Sequence, residues 1–428
     1  MKKTNSTFTT FFRNVNEKGF FNLLSANTLV QIVAFGSQIF VAGILSPDDV
    51  GRIKVLQTFF SIFTIIGGMG FNSSTLKLCS ERVDESEKRR IFKSGFFFTI
   101  LSTGITYVVV LIINSADVMT SDKLVRQLVP LALFPLVSNS LFSVFVSYFL
   151  ARKQVKLISR LTVINKLLAV VGIVLLTYFL GIKGYYWAYN LSIIIILAAC
   201  FRREKSSYSL FSDITDKSSR KELFRLHWKY SRPSFMTTLF ADLSAYADIL
   251  ILNFLVKDMF EIGYYGFALT LTVVLRMIPS TVQQITLPYF SEMATRKTEF
   301  VNAYKRYSKL LVLIILGTFA VVVLVAVPSL PVLFSGKYGE SLKYFIPLSV
   351  GWSILMYNQI QSAALFGLGR MDYTAYGQIS SLFFNLIVIL VGWYFFGLIG
   401  VAYSSIVGAI FKVSIHYVFL KRQINGMM

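Results

Sequence analysis

Arg276 is the residue whose type and position most directly suggest chemistry in this sequence. It falls near the centre of an apolar block over residues 263–289. A charge at that depth in a membrane is costly and is therefore a functional candidate. A planar, permanently charged guanidinium suits an anion in a wet central cavity. Three polar residues share its helical face: Thr272, Ser280 and Gln283.

Two aspartates lie in the preceding apolar block, over residues 232–256. Asp242 either binds a coupling cation or proton, or neutralises Arg276 in a structural ion pair. Asp248 carries the same alternatives, and because it lies nearer one end of the block, helix packing or hydration also explains it. Both alternatives stay open for each acid.

Two lysines also fall inside apolar blocks. Lys166 lies one to two turns inside the block over residues 158–180, so its ammonium either lines the cavity or extends to the membrane surface along its aliphatic chain. Lys412 lies closer to a block end, and extension to the surface is the favoured interpretation.

Amide and hydroxyl side chains form polar stripes at helical spacing in the first two apolar blocks. Such stripes either line a cavity suited to sugars or hold neighbouring helices together by hydrogen bonds. The best stripes fall in the first, second, seventh and eighth blocks, which a repeat of the chain makes equivalent, and this favours a shared cavity. The members in the first two blocks are Asn27, Gln31, Gln38, Gln57, Ser61 and Thr64.

The composition shows which elements must position these residues. Of the 428 residues, 55% are hydrophobic and only 15% are charged, whereas a soluble domain carries about 25% charged residues. The apolar residues form twelve blocks, each long enough to cross a bilayer as a helix. The composition therefore excludes a soluble enzyme, a disulfide scaffold and a disordered protein. The blocks are 20–45, 52–76, 92–113, 127–150, 158–180, 183–201, 232–256, 263–289, 310–334, 343–367, 374–396 and 398–420.

The basic residues predict how the chain is oriented. There are 42 Lys and Arg against 21 Asp and Glu, a formal net charge of +21, and most basic residues fall on the side that also carries both termini. The positive-inside rule therefore predicts cytoplasmic termini and explains the charge without a nucleic-acid partner. We predict an N-terminal lobe over 1–201, a cytoplasmic linker over 202–231 and a C-terminal lobe over 232–428. The basic, aromatic segment 221–229 is expected to lie along lipid headgroups.

The two halves of the chain repeat each other at an offset of about 212 residues. Asp49-Val50-Gly51-Arg52 is matched by Glu261-Ile262-Gly263-Tyr264, and Gly181-Ile182-Lys183-Gly184 is matched by Gly397-Leu398-Ile399-Gly400. Six spans per half is an even number, so both halves share one orientation about an axis along the membrane normal. The sequence therefore predicts an all-α polytopic membrane protein, with twelve transmembrane helices in two parallel six-helix lobes around a central cavity.

Motifs for soluble catalysis are missing from the sequence. There is no GxxxxGKS/T phosphate loop, and His227 and His416 have no second metal ligand at a suitable spacing. Cys79 and Cys200 form no CxxC motif and are expected to be ordinary small residues in helices. We therefore predict no enzymatic activity, no metal and no cofactor.

Short motifs at the ends of the spans carry a resemblance to one known family. They are Leu45-Ser46-Pro47-Asp48-Asp49-Val50-Gly51, Gly70, Lys77, Ser80-Glu81, Tyr230-Ser231-Arg232-Pro233, Asp248, Ile262-Gly263-Tyr264-Tyr265, Pro288, Gly369-Arg370 and Gly397-x-x-Gly400. With them the chain resembles, over essentially its whole length, the polysaccharide-repeat-unit flippases (Wzx-type) of the multidrug/oligosaccharidyl-lipid/polysaccharide exporter superfamily. These motifs are loose and mark the fold more than the substrate.

The resemblance implies a substrate, a mechanism, partners and a location. The substrate would be an undecaprenyl-pyrophosphate-linked oligosaccharide repeat unit for O-antigen (lipopolysaccharide) or capsule biosynthesis. Alternating access would move it from the inner to the outer leaflet of the bacterial cytoplasmic (inner) membrane. Arg276, with Lys166, would bind the pyrophosphate, and the polar stripes would accommodate the sugars. The phospholipid bilayer would hold the lipid tail, and a polysaccharide polymerase with its chain-length machinery would be the protein partner.

Two other functions are compatible with parts of the sequence. A cation-coupled multidrug exporter belongs to the same superfamily and shares the twelve-span plan, but it would favour a cavity dominated by acids. A polysaccharide polymerase is disfavoured, because it typically needs a sizeable outer loop with arginines and the outer loops predicted here are short.

Overall fold

A computed structural model describes residues 20–81, 84–204, 217–334 and 336–426 of the chain. It describes the backbone alone for residues 20–30, 217–219, 277–282, 284, 285 and 288. The described part is 91% helical and contains no strand. Its helices are α1 (Phe20–Ile44), α2 (Pro47–Gly68), α3 (Phe71–Cys79), α4 (Glu85–Ser115), α5 (Lys123–Leu133), α6 (Pro135–Ala151), α7 (Val155–Arg203), α8 (Lys217–Leu255), α9 (Met259–Glu292), α10 (Lys297–Phe334), α11 (Ser341–Gly367) and α12 (Met371–Asn425).

Helices α7 and α12 each contain two of the predicted spans. They are 49 and 55 residues long, whereas one crossing needs about 20. Each folds back at a glycine with positive φ, Gly181 (φ 58°, ψ −143°) and Gly397 (φ 61°, ψ −145°), a conformation that other residues rarely adopt. Across the described residues, seven helical stretches are long and apolar enough to cross a membrane by length and composition. The predicted fold, a twelve-helix polytopic membrane protein with two lobes, is confirmed.

Two predicted spans are interrupted. The second span ends as α2 at Gly68, and α3 begins at Phe71 after two left-handed residues, Met69 (φ 46°) and Gly70 (φ 73°). The fourth span consists of α5 and α6, which meet at Phe134 directly before a proline. Apolar periodicity alone predicts neither break, because the hydrophobic block continues through both.

The repeat of the sequence is also a repeat of close backbone contacts. A Cβ atom added to Gly184 would overlap the carbonyl of Leu176 in the first arm of α7, and one added to Gly400 would overlap the carbonyl of Gly392 in the first arm of α12. Both GxxG motifs therefore form the same tight crossing between two arms of a helical hairpin.

Two glycines at equivalent positions of the repeat touch where the halves meet. A Cβ atom on Gly51 of α2 would overlap the carbonyl oxygen of Met259 in α9, and one on Gly263 of α9 would overlap the carbonyl oxygen of Pro47 in α2. The contact is thus reciprocal, as expected about a two-fold axis between the N-terminal lobe (α1–α7) and the C-terminal lobe (α8–α12). We call this end of the bundle the Gly51 end.

The hydrophobic cores show that the lobes join at the Gly51 end and separate at the other. One core contains residues of both lobes, among them Val41 and Ile53 with Ile262 and Phe334. Towards the opposite end, α3, α4, α6 and α7 share one core, while α9, α10, α11 and α12 share another. The described helices therefore form a bundle that is closed at the Gly51 end.

Polar contacts reinforce the closed end. Arg52 forms ion pairs with Asp48, Asp49 and Asp122 of the N-terminal lobe. Lys337, which precedes α11 in the C-terminal lobe, donates to backbone carbonyl oxygens at the end of α1, those of Ala42, Gly43 and Leu45. A lysine of one lobe thus binds the C-terminal carbonyls of a helix in the other, a favourable arrangement with the helix dipole.

Helix α8 begins well before the span predicted at residue 232. Its residues Leu223 and His227 are buried against α3 and α4 rather than lying along headgroups. The spacing of four residues puts them on one helical face, so Arg225, midway between them, lies on the other face and is exposed. We call the end of the bundle that holds this contact the His227 end.

Candidate functional site: a cationic cavity in the C-terminal lobe

A cavity of about 570 Å³ lies between α8, α9, α11 and α12. Of the residues predicted from the sequence, Gln31, Asp248, Arg276 and Gln283 line it. Amides and hydroxyls of α11 and α12 supply most of its remaining polar surface: Asn358, Gln359, Ser362, Gln378, Ser381, Asn385, Ser404 and Ser405. The cavity is therefore polar at membrane depth, which requires hydration or a ligand.

The guanidinium of Arg276 lies on an aromatic face rather than on a carboxylate. Its central carbon is 4.3 Å from the centre of the Trp352 ring of α11, a contact that is worth about 0.5–2 kcal/mol. Among the described residues no ion pair joins it to Asp242 or Asp248. The N–H donors of Arg276 are therefore held in position and can bind an anion in the cavity.

Asp248 lines the same cavity but is hydrogen-bonded to Tyr265. The Tyr265 hydroxyl donates to Asp248 Oδ2 at 2.8 Å, and the neighbouring Ile249 N–H donates to Oδ1 at 2.8 Å. Asp248 is still close enough to Arg276 for an electrostatic interaction. The acid thus lowers the net positive charge of the cavity without forming an ion pair with the guanidinium of Arg276.

Lys412 is a second cation of this cavity, which the sequence did not predict. Its ammonium donates to Gln378 Oε1 at 2.7 Å, across the two arms of α12, and its side chain lines the cavity. It does not extend to the membrane surface, as the sequence suggested, because Gln378 provides an acceptor inside the lobe. The signal in the sequence is its depth: it lies nine residues, or about 13 Å at 1.5 Å per residue, before Lys421.

Lys54 is a third cation near the site. It lies inside α2 at the junction of the lobes, where its Cγ packs on Gly266 of α9. It is close enough to Arg276 to interact electrostatically. Gly266 is the residue of the second half that is equivalent to Lys54. One half of the repeat therefore has a lysine at this position, and the other has a glycine whose missing side chain leaves room for that lysine.

Three of the predicted polar residues make hydrogen bonds within the protein instead of lining this cavity, and two of them join helices. Gln38 and Gln57 both donate to the hydroxyl of Tyr185, at 3.3 and 2.7 Å, and so join α1 and α2 to α7. Thr272 is fully buried and donates to the carbonyl of Leu269. The alternative of hydrogen bonding between helices thus fits Gln38 and Gln57, whereas the hydrogen bond of Thr272 stays within α9.

The remaining predicted residues lie elsewhere. Lys166 is exposed on α7, Asp242 is half-buried on α8, and neither lines the cavity of the C-terminal lobe. Ser61 is half-buried on α2, and Thr64 lines a separate pocket of the N-terminal lobe. The side chains of Asn27 and Ser280 lie outside the described residues.

Comparison with known proteins gives a family and a fold. A family model described as polysaccharide biosynthesis protein matches residues 17–294, more than half of the chain. No match is found among curated proteins. The structural similarity extends over nearly the whole chain and concerns transporters.

Three solved structures illustrate that similarity. The lipid II flippase MurJ in an inward closed conformation has a TM-score of 0.75 at 16% identity, and the match covers 95% of this chain and 90% of MurJ. An inward-facing multidrug resistance MATE family transporter of the MOP superfamily has a TM-score of 0.74 at 15% identity, covering 93% and 94% of the two chains. An outward-facing MATE family transporter has a TM-score of 0.63 at 16% identity, covering 95% and 93%.

These matches confirm the resemblance to the repeat-unit flippases of the multidrug/oligosaccharidyl-lipid/polysaccharide exporter (MOP) superfamily that the sequence motifs indicate. The protein is a multi-pass membrane protein with a transporter fold. The chain belongs to the polysaccharide biosynthesis protein family.

Proposed function

We propose that the protein is a flippase that moves undecaprenyl-pyrophosphate-linked oligosaccharide repeat units from the inner to the outer leaflet of the bacterial cytoplasmic membrane. It would work by alternating access, without catalysing a reaction, and would supply surface polysaccharide biosynthesis such as that of O-antigen or capsule. A polysaccharide polymerase with its chain-length machinery would use the translocated units.

The observation that carries this proposal is the pair of cations in a polar cavity. Arg276 and Lys412 line it without an ionic partner among the described residues. A pyrophosphate is a compact anion that a guanidinium and an ammonium bind by charge-assisted hydrogen bonds. The surrounding amides, such as Gln359 and Asn385, are the side chains that exchange donor and acceptor bonds with sugar hydroxyls.

The closed end of the bundle supports a route for the substrate. The shared core and the Lys337 contacts close the Gly51 end, whereas the two lobes have separate cores towards the His227 end. The positive-inside rule predicts that the His227 end is cytoplasmic, together with both termini. The headgroup would enter there while the lipid tail stays in the bilayer between the lobes, and rocking of the lobes would then open the Gly51 end.

Aspartates could couple this movement to an ion. Asp248 is better placed for that role than Asp242, because it lines the cavity and lies near Arg276. Binding of a proton or cation to Asp248 would change the charge that the pyrophosphate meets. Lys166 is exposed on α7 and does not line this cavity, so its role as a second pyrophosphate ligand stays a prediction.

A cation-coupled multidrug exporter is the second candidate. The presence of Asp248 in the cavity favours it, because a carboxylate attracts organic cations, and MATE transporters share the fold. The two cations in the same cavity oppose it by repelling such drugs.

The first test is a gene deletion combined with localisation of the lipid-linked oligosaccharide. Loss of the flippase should leave the oligosaccharide on the cytoplasmic face and abolish surface polymer. Single repeat units on the outer face would instead indicate a polymerase. Normal polymer with new drug sensitivity would indicate the exporter.

The second test is replacement of Arg276 in the complemented strain. Arg276→Ala should reduce translocation by about 10- to 100-fold, because charge-assisted hydrogen bonds contribute about 1.5–3 kcal/mol. Arg276→Lys should retain part of the activity. Arg370→Ala serves as the matched control, because Arg370 is paired with Asp372 at the surface between α11 and α12. Unchanged translocation by Arg276→Ala, at normal protein levels, would refute the anion site.

A further inference from the structure

The N-terminal lobe contains a second, uncharged pocket that the proposed anion site does not use. It has a volume of about 210 Å³ and lies between α2, α3, α4, α6 and α8. At about 30 Å³ per water molecule this is room for roughly seven waters. Among the described residues no charged side chain lines it, and its polar residues are mostly hydroxyls and one amide. They include Thr64, Asn72, Ser73, Ser140, Ser143 and Ser234.

The pocket lies at the break between α2 and α3. Gly68 and Gly70 line it, and the two left-handed residues Met69 and Gly70 interrupt the helix there. Non-helical backbone at membrane depth is tolerated only where protein buries it or where it lines a polar cavity. Discontinuous helices of this kind commonly form substrate sites in transporters.

The repeat shows that the fold itself does not require this break. The equivalent backbone in the second half belongs to α9, which runs without interruption from Met259 to Glu292. Gly70 is also held against α8, because a Cβ atom there would overlap the carbonyl oxygen of Ser231. The N-terminal lobe therefore has a local feature that its counterpart lacks, and the feature opens onto a pocket.

Some polar side chains that line this pocket form no hydrogen bond with the described part of the protein. Ser140 is only 4% exposed, and its hydroxyl, like that of Thr64, makes no hydrogen bond within the described part of the chain. The amide of Asn72 makes none to a described residue either. Buried unpartnered hydroxyls are costly, so such groups normally bind a ligand or ordered water.

We propose that this pocket binds an uncharged sugar residue of the substrate, separately from the cavity that binds its pyrophosphate. The inference rests on the lipid-linked oligosaccharide proposed above. The described residues that line the pocket include no carboxylate, which argues against a metal cation, and no Lys or Arg, which argues against a phosphate. Hydroxyls and an amide offer both donors and acceptors, which is the complement of a sugar ring.

Protection of introduced cysteines tests the proposal on the full-length protein in proteoliposomes. Thr238→Cys places a thiol at an exposed residue of this pocket, and Gln359→Cys places one in the cavity of the C-terminal lobe. Both native thiols, Cys79 and Cys200, are buried, and the wild-type protein provides the background. Alkylation by N-ethylmaleimide is followed with undecaprenyl pyrophosphate, with the oligosaccharide-bearing lipid purified from the deletion strain, and without lipid.

The oligosaccharide-bearing lipid should slow labelling of both cysteines, by about tenfold at ten times its Kd. The sugar-free lipid should protect Gln359→Cys alone. Protection of Thr238→Cys by the sugar-free lipid would mean that movement of the lobes closes the pocket, and would overturn the proposal. Failure of the oligosaccharide-bearing lipid to protect Thr238→Cys would overturn it too, leaving the anion site intact. Failure to protect Gln359→Cys would refute the anion site itself.

Substitutions within the pocket give a second measurement. Ser140→Ala and Asn72→Leu should each weaken binding of the oligosaccharide-bearing lipid by about 3- to 10-fold, the effect of one neutral hydrogen bond. Binding of undecaprenyl pyrophosphate should be unchanged. Ser147→Ala is the matched control, a buried serine on the same helix that does not line the pocket. Equal weakening with both lipids would contradict a sugar site.

Discussion

Lys412 illustrates how a single side chain gives the cavity its charge. An ammonium at this depth is costly unless it has a polar partner, and Gln378 supplies one at 2.7 Å. An amide oxygen satisfies one of its three N–H donors without neutralising the charge. The remaining donors and the full positive charge therefore stay available to a ligand.

Lys412→Met should weaken binding of undecaprenyl pyrophosphate by about tenfold, because one charge-assisted hydrogen bond is lost. Binding to purified protein is the measurement. Lys421→Met, which removes an exposed lysine at the end of the same helix, is the control. Equal affinities of the two variants would show that Lys412 does not contact the anion.

The sequence predicts Arg276 but misses Lys412, and the reason is physical. Arg276 lies in the middle of its span, so no membrane surface is within reach of its side chain. Lys412 lies at a depth from which a long side chain can reach either a surface or a cavity. The choice depends on Gln378, and that contact between two arms of a hairpin is not visible in the periodicity. The same limit applies to Gln38 and Gln57, which meet Tyr185.

His227 attaches the first part of α8 to the N-terminal lobe. Its Nδ1 is 2.7 Å from the hydroxyl of Ser74, and its Nε2 is 2.9 Å from that of Ser94 and 3.2 Å from the carbonyl oxygen of Ile91. A carbonyl only accepts, so Nε2 carries the hydrogen and Nδ1 accepts from Ser74. Both ring nitrogens are thereby satisfied inside the protein, and the linker side of α8 is held on the N-terminal lobe.

His227→Ala should destabilise the protein by about 2–4 kcal/mol, because it removes a fully buried ring together with its hydrogen bonds to Ser74 and Ser94. Thermal unfolding of the protein in detergent and proteolysis near residue 217 measure the effect. Arg225→Ala changes an exposed residue of the same turn and should have little influence. An unchanged Tm for His227→Ala would mean that other contacts hold this segment.

At the level of elements, the sequence predicts the spans and the glycine turns but not the helix breaks. Gly181 and Gly397 are visible because each ends one apolar block and precedes another. Met69 and Gly70 lie inside a continuous block, where a glycine-rich stretch is expected to allow close packing. Two left-handed residues change the backbone without changing the hydrophobicity, so the pocket beside them is a product of the tertiary structure.

On the scale of the whole molecule, Lys337 connects the two lobes at the closed end. It donates from the C-terminal lobe to carbonyls that end α1 in the N-terminal lobe. Opening the Gly51 end must break these bonds, so they stabilise the closed arrangement relative to the open one. Lys343 is the matching lysine that stays within its own lobe, paired with Glu340.

Lys337→Met should raise the ratio of protein open at the Gly51 end to protein closed there by about tenfold or more, because a charge-assisted hydrogen bond that stabilises the closed form is lost. Val41→Cys, only 2% exposed in the shared core, reports the opening through its alkylation by an impermeant maleimide. When Lys343→Met is combined with Val41→Cys as the control, the cysteine should be alkylated at the same rate as in the Val41→Cys protein with both lysines intact. Equal rates for the two lysine variants would show that Lys337 does not control the closed end.

The reciprocal contact of Gly51 and Gly263 has the character of an isologous interface, the kind that joins identical subunits about a two-fold axis. In a homodimer one substitution changes both contributions to such an interface at once, whereas here Gly51 and Gly263 are separate positions of one chain and can be substituted independently. A side chain added at either position would press on the backbone of the other half, so both glycines are under one shared constraint. Although they are far apart in the chain, the two glycines form one structural position. The single polypeptide is therefore under the same restriction that two-fold symmetry places on the interface of a homodimer.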